Sequence, residues 1–361
     1  NQHKKPSGVW IMAYTDIDDP SAYFQTTLYA GNGGTQSVTN GGNSDLQPDW
    51  LWIKDRDDTY KHILVDSVRG ATKHLASNTT AAEITNTANV TGFASDGFAL
   101  ASDGNVNANA DKYVAWQWKT GTSFSNDASS TSVGSIDSAG SVSTTAGFSI
   151  VSYTGTGSAG TIKHGLSTAP KIIIQKNRDE TQPWWTYVES IGAGGQLRLN
   201  TTAAAGSDGG VLWNSTAPTS SVFSVGDNTG TNGSADKCIA YCFADVQGYS
   251  KFGSYVGNGN ADGTFVYTGF KVGWVMIKRT DTGNSWLILD NKRIGFNPDN
   301  NYLLADTSDA DGTDNFVDLY SNGFKIMSAD AAFNASGGTY IYMAFAENPF
   351  TTSTGVPATA R

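Results

Sequence analysis

A six-residue pattern that returns along the chain constrains the fold more than any other feature. Tyr113-Val114-Ala115-Trp116-Gln117-Trp118 comes back as Cys238-Ile239-Ala240-Tyr241-Cys242-Phe243 and as Tyr340-Ile341-Tyr342-Met343-Ala344-Phe345, with a fourth version at Trp10-Ile11-Met12-Ala13-Tyr14. Side chains alternate across a strand, so Val114, Trp116 and Trp118 share one face, and Ile239, Tyr241 and Phe243 do the same. That face belongs in a core. The smaller residues between them, such as Ala115, Gln117 and Ala240, predict a strand covered heavily on one side only.

The central positions Met12, Trp116, Tyr241 and Met343 stand 104, 125 and 102 residues apart, which sets the length of a repeat. Other landmarks return in the same order. Each period opens with a strand and a glycine turn: Tyr29-Ala30-Gly31-Asn32-Gly33, Tyr153-Thr154-Gly155-Thr156-Gly157 and Tyr255-Val256-Gly257-Asn258-Gly259. An apolar strand ending in Lys54, Lys176 or Lys278 follows. Next come Ile63-Leu64-Val65-Asp66 with Arg69, Trp185-Thr186-Tyr187-Val188-Glu189, and Trp286-Leu287-Ile288-Leu289-Asp290 with Arg293. Asp96-Gly97 and Asn322-Gly323 are hairpin signals, and the middle period has only Val222-Phe223-Ser224-Val225 at that point.

Short strands, abundant turn residues and the lack of a convincing amphipathic helix predict an all-β chain of tandem antiparallel β-sandwich or jelly-roll-like modules in three pseudo-repeats. The expected boundaries are 20–120, 147–246 and 250–350. Residues 121–146, rich in Ser, Thr, Gly and Ala, read as a linker, and 351–361 as an exposed tail. Residues 1–19 read as the terminal strand of an upstream repeat, which predicts a longer native protein.

Among 361 residues the net charge is −10 and no Lys/Arg cluster stands out, which argues against nucleic acid as a partner because phosphate binding needs concentrated positive charge. No apolar run is long enough for a membrane helix, so membrane insertion is not expected either. The two cysteines, Cys238 and Cys242, lie on one face of one predicted strand, too far apart for a disulfide, and read as buried free thiols.

Chemistry-bearing residues are sparse. His3, His62, His74 and His164 have no metal-ligand spacing and no nucleophile motif beside them, so no catalytic residue is assigned. Asp66, Glu189 and Asp290 recur by repeat, which favours structural ion pairs such as Asp66 with Arg69 and Asp290 with Arg293. The acidic run Asp306–Asp314 offers Asp309, Asp311 and Asp314 as oxygen ligands for Ca²⁺, the one cofactor suggested, although it lacks the closing Glu of a calcium hand. A solvated acidic loop is the plainer reading. Most tryptophans occupy core strands. Trp184, whose neighbour Trp185 claims the inward side, and Trp213, amid Asn214-Ser215-Thr216, are the glycan-stacking candidates.

The stretches "GFSIVSYTGTGSAGTIKHGLSTAPKIIIQKNR", "CIAYCFADVQGYSKFGSYVGNGNADG" and "GGTYIYMAFAENPF" resemble a repeat domain of unknown function found in tail-fibre and virion structural proteins of marine and other bacteriophages. The resemblance covers nearly all of residues 147–350, with 9–119 as a diverged copy. It implies a non-enzymatic structural and adhesion protein on a virion surface or in an extracellular setting. The implied partners are other virion subunits, further copies of itself and a host-surface glycan. It brings no catalytic residues. The alternatives are a polysaccharide depolymerase or lyase using paired carboxylates, and a capsid decoration or filament scaffold subunit.

Overall fold

A computed structural model describes residues 13–294 and 297–359. Among these residues the only helices are single turns, and none is long and apolar enough to cross a membrane. The protein is all-β, built from antiparallel sheets in three modules of one design. In the first, the sheet runs in the order Phe24–Ala30, Lys112–Trp118, Trp50–Asp55, Ile63–Asp66, Lys73–Ala76, Ile84–Thr85. The opening strand therefore pairs with the closing strand, which pairs in turn with the lysine strand. The other two modules repeat this order around Lys237–Phe243 and Thr339–Pro349. A small second sheet lies across one face of each large one: Gln36–Thr39 with Gly97–Leu100 and Val90–Ala94, Gly160–Lys163 with Val222–Val225, and Phe265–Tyr267 with Gly323–Ile326 and Val317–Tyr320.

The closing strands explain how the modules associate. Tyr113 and Ala115 face the small sheet, where they pack with Val38, Phe98, Leu51 and Ile53 in a core private to the module. Cys238, Ala240 and Cys242 do the same in the second module, and both cysteines are buried free thiols. Tyr340, Tyr342 and Ala344 do so in the third. The opposite faces, Val114/Trp116/Trp118, Ile239/Tyr241/Phe243 and Ile341/Met343/Phe345, meet in one central core shared by all three modules. The expectation of one-sided cover is thus corrected: these strands are buried on both faces, one side within the module and the other between modules. Trp50 stacks on Tyr241 at 4.5 Å, and Phe24 of the first module stacks on Phe345 of the third at 5.2 Å. Full burial of one such large apolar side chain contributes about 1.5–3 kcal/mol.

The modules close into a ring through equivalent contacts. Trp184 Nε1 donates to the carbonyl of Ala76 in the first module, Trp286 Nε1 to that of Arg198 in the second, and His62 Nε2 bonds that of Leu304 in the third. Backbone bonds repeat the cycle: Glu83 N–H to Arg178, Ala205 to Thr280, and Asp311 to Arg56.

Inside each module a single helical turn pins the glycine turn. Asn107, Asn232 and Asn334 are fully buried, and each carboxamide oxygen accepts the N–H of Asn32, Thr156 or Asn258. The glycine before each of these is required by close approach. A Cβ on Gly31, Gly155 or Gly257 would lie 2.0, 2.2 or 2.4 Å from a backbone oxygen of the turn.

Two boundary expectations change. Residues 121–146 are no linker: Thr122–Asn126 and Ser138–Ser143 are strands, and the second pairs along the opening strand Phe148–Thr154, giving the middle sheet eight strands. Of the strand expected near residues 9–15, residues 9–12 lie outside the described residues. Ala13–Thr15 are not in a strand; the Tyr14 hydroxyl donates to Gly269 O and the Thr15 hydroxyl to Gln247 O.

Candidate functional site

Neither tryptophan chosen as a stacking platform is on the surface. Trp184 is 0% exposed and Trp213 1% exposed, so both assignments are corrected. Trp184 and Trp185 both face inward, because this stretch has a core on each side. Trp184 enters the central core and lies parallel to Tyr241, while Trp185 enters the module core. Trp213 packs its edge against Tyr187 in that same module core.

The proposed calcium ligands do not converge. Asp311 accepts from Arg56 at 2.7 Å and from Arg293 at 2.8 Å, so its charge is already matched twice. Asp309 and Asp314 are exposed, and Asp314 accepts the N–H of Asn315. Among the described residues no group of three or more His, Cys, Asp or Glu side chains is placed to hold a metal ion. The acidic loop is a seam element instead.

The recurring carboxylates are seam elements too. Asp66 and Arg69 form a buried pair at 2.5 Å, and Asp290 and Arg293 one at 2.7 Å. Each pair receives a donor from the next module: the Tyr241 hydroxyl on Asp66 at 2.7 Å, and Trp116 Nε1 on Asp290 at 3.0 Å. Against the opposing effect of burial, the Arg293 guanidinium and Trp116 Nε1 hold the Asp290 carboxyl below its usual range. The third equivalent is displaced by one residue from the expected Glu189. Trp50 pairs with Asp66, Trp274 with Asp290, and Ile172 with Val188, so Val188 occupies the carboxylate position. Glu189 sits partly exposed on Lys171. His62 is spent on structure: Nδ1 accepts from Trp52 Nε1 at 2.8 Å, and burial pushes its pKa well below the ordinary histidine value.

The small sheet of the third module presents an exposed aromatic face. On the small sheet of the third module, Val266 points inward onto Phe324, and Phe265 and Tyr267 point out. Register places Phe265, Lys325 and Asp318 in one outward row and Tyr267, Gly323 and Tyr320 in the next. Phe265, Tyr267 and Tyr320 are 45%, 56% and 38% exposed. Phe265 and Tyr320 meet edge to face at 6.0 Å beside Gly323, which the sheet itself requires because a Cβ there would lie 2.1 Å from Val266 O. At the margin Lys325 pairs with Asp262, and the Tyr320 hydroxyl donates to Asp318 at 3.4 Å. The Tyr320 pKa is raised first by partial burial and then by Asp318.

The repeat supplies its own control. The inward pairs Val38–Phe98, Ile162–Phe223 and Val266–Phe324 align the three small sheets. In the first module the outward positions are Ser37, Thr39, Ala99, Ala94 and Gly92; in the second they are Thr161, Lys163 and Val222, together with Ser224, which is covered and buried. The fold therefore does not require aromatic rings there. Comparing Phe265-Val266-Tyr267 with Ser37-Val38-Thr39 exposes this difference, once Asn322-Gly323 is aligned with Asp96-Gly97.

A family model described as a domain of unknown function, DUF7483, matches residues 19–349. The chain belongs to this family. The DUF7483 match runs through all three modules, from the turn that precedes Phe24–Ala30 to the end of Thr339–Pro349, so the unit it describes includes the whole ring. No curated protein matches the chain.

Proposed function

We propose that this protein is a non-catalytic structural and adhesion component of a bacteriophage particle, displayed on the virion surface, and that it holds a host-surface glycan against Phe265, Tyr267 and Tyr320. The observation that carries the binding reading is the confinement of exposed aromatic rings to one of three equivalent faces. Leaving such a patch in water is unfavourable, so a patch the fold does not need favours a ligand. A pyranose fits its chemistry: the C–H face of the sugar stacks on the electron-rich ring faces. Asp318 and Lys325 stand in the same rows and offer an acceptor and a donor to hydroxyls at the sugar's rim. The virion setting is supported by the resemblance of the repeats to those of phage structural proteins. The partners it implies are other virion subunits and further copies of this chain.

The test is binding of the whole chain to an array of bacterial surface polysaccharides. Single changes Phe265→Ala, Tyr267→Ala and Tyr320→Ala are expected to weaken the positive hits by roughly 1–3 kcal/mol each, the range of other aromatic stacking platforms. The melting temperature should hold, because the rings are exposed. Binding that survives the triple change would overturn the assignment of this face. Depolymerisation of a bound polysaccharide would overturn the non-catalytic reading.

A further inference from the structure

We infer that the open edge of the first module, along Phe24–Leu28, is a docking site for an extended peptide strand from a partner polypeptide. The inference is independent of the glycan face. The opening strand Phe24–Ala30 is the edge of its sheet. Lys119 N–H donates to Tyr23 O, and Gly31 N–H donates to Asp111 O, which fixes the phase of the antiparallel ladder. Residues 25, 27 and 29 therefore bond the closing strand, and Phe24, Thr26 and Leu28 turn their N–H and C=O groups outward.

The same edge occurs three times and is treated in three ways. In the second module, Ser138–Ser143 pairs along Phe148–Thr154, with Ser141 opposite Ile150, the counterpart of Thr26. In the third, part of the edge is capped from within: Ser250 exchanges both bonds with Val246, Phe252 N–H donates to Asp245, and the Thr264 hydroxyl donates to Val256 O. In the first, Gln36 reaches only Ala30 O. Among the described residues nothing bonds the outward groups of Phe24, Thr26 and Leu28, and the buried Thr26 hydroxyl lacks a partner as well. These groups instead line a cleft of about 510 Å³, whose other wall includes Gly273, Lys292 and Asn348 of the third module.

An edge left open beside a cleft is suited to strand addition, in which main-chain bonds supply affinity. The chain shows what fits. Its own filler of the equivalent edge is Ser138-Ala139-Gly140-Ser141-Val142-Ser143, uncharged and mostly small. The occupant is therefore an extended, uncharged segment rich in Ser, Gly and Ala. A second copy cannot offer its own Ser138–Ser143, because that strand is already held between two neighbours.

The test uses the whole chain and a blocked synthetic peptide of residues 138–144 at millimolar concentration, read by amide hydrogen exchange. Without peptide, the amides of Thr26 and Leu28 should exchange faster than those of Gln25 and Thr27; equal protection would mean a closed edge and overturn the proposal. With peptide, the outward amides should slow by roughly tenfold or more. No slowing, or slowing that follows protein concentration without peptide, would also overturn it, the latter by making a second copy the occupant. Thr26→Pro removes only an outward N–H, which an edge strand tolerates, and should abolish the effect at Leu28. Thr26→Val keeps that N–H and should retain the effect. Persistence in a folded Thr26→Pro protein would sink the idea, and the wild-type exchange pattern decides the matter even if that variant does not fold.

Discussion

Tyr241 concentrates what single residues do in this molecule. Its ring stacks on Trp50 and its hydroxyl donates to Asp66 while Arg69 donates to it, so one side chain joins a core to an ion pair. Tyr241→Phe keeps the ring and leaves a buried carboxylate short of one donor. The expected cost is about 1–3 kcal/mol, measured by denaturant unfolding, with no effect on glycan binding. Part of this was legible in the sequence. The three-residue spacing of Asp66 to Arg69 and of Asp290 to Arg293 announced both pairs, because that spacing lets a turn bring the groups together. The donors were not legible, since they come from another module. Nor was the substitution of Val188: Glu189 looked equivalent by charge, and only strand pairing shows that it stands one place too far.

Among elements, the stretch 121–146 teaches most. Ser, Thr, Gly and Ala are the residues of a flexible connection, but they also suit a strand laid along the edge of a finished sheet, where little apolar surface remains to be covered. Composition could not separate these cases, because what decides them is whether a neighbouring edge has free N–H and C=O groups. Limited proteolysis should therefore leave residues 121–146 intact under conditions that cut exposed loops, whereas a linker would be cut first. Ser141→Pro, in a strand paired on both sides, should cost about 3 kcal/mol or more and open the segment to protease. The closing strands Lys112–Trp118, Lys237–Phe243 and Thr339–Pro349 were legible from their period, and their second buried face was missed for a related reason. Small residues such as Ala115 and Ala240 read as exposed but give room for a second sheet to approach. That error also sent Trp184 to the surface on paper.

At the scale of the molecule, the three repeats are one folding unit. One face of each large sheet packs into the central core, so a single module cut at 147–246 would expose Ile239, Tyr241 and Phe243 to water. Expressed alone, that fragment should bind hydrophobic dyes and lack a cooperative melt, whereas the whole chain should unfold in a single calorimetric transition. Repeat length and module count were readable from spacing alone. Closure into a ring was not, because its contacts join residues 75 to 255 positions apart in different modules.

The seams also differ in a way that bears on how such a chain avoids assembling wrongly. Two junctions carry the networks Asp66–Arg69–Glu83–Arg178 and Asp290–Arg293–Asp311–Arg56, and the third has Val188, Ile191, Ala205 and Thr280 in the corresponding places, with Met343 where Tyr241 and Trp116 stand. Similar repeats in one polypeptide invite exchange between neighbours, within a chain or between chains. Here a swapped pairing would set a buried aspartate against methionine, or an aspartate's donor against valine. Losing that donor from a buried carboxylate costs about 1–3 kcal/mol. The unlike seams thus act as a proofreading code, and the correct cyclic order is the one in which every buried carboxylate finds its donor from the next module.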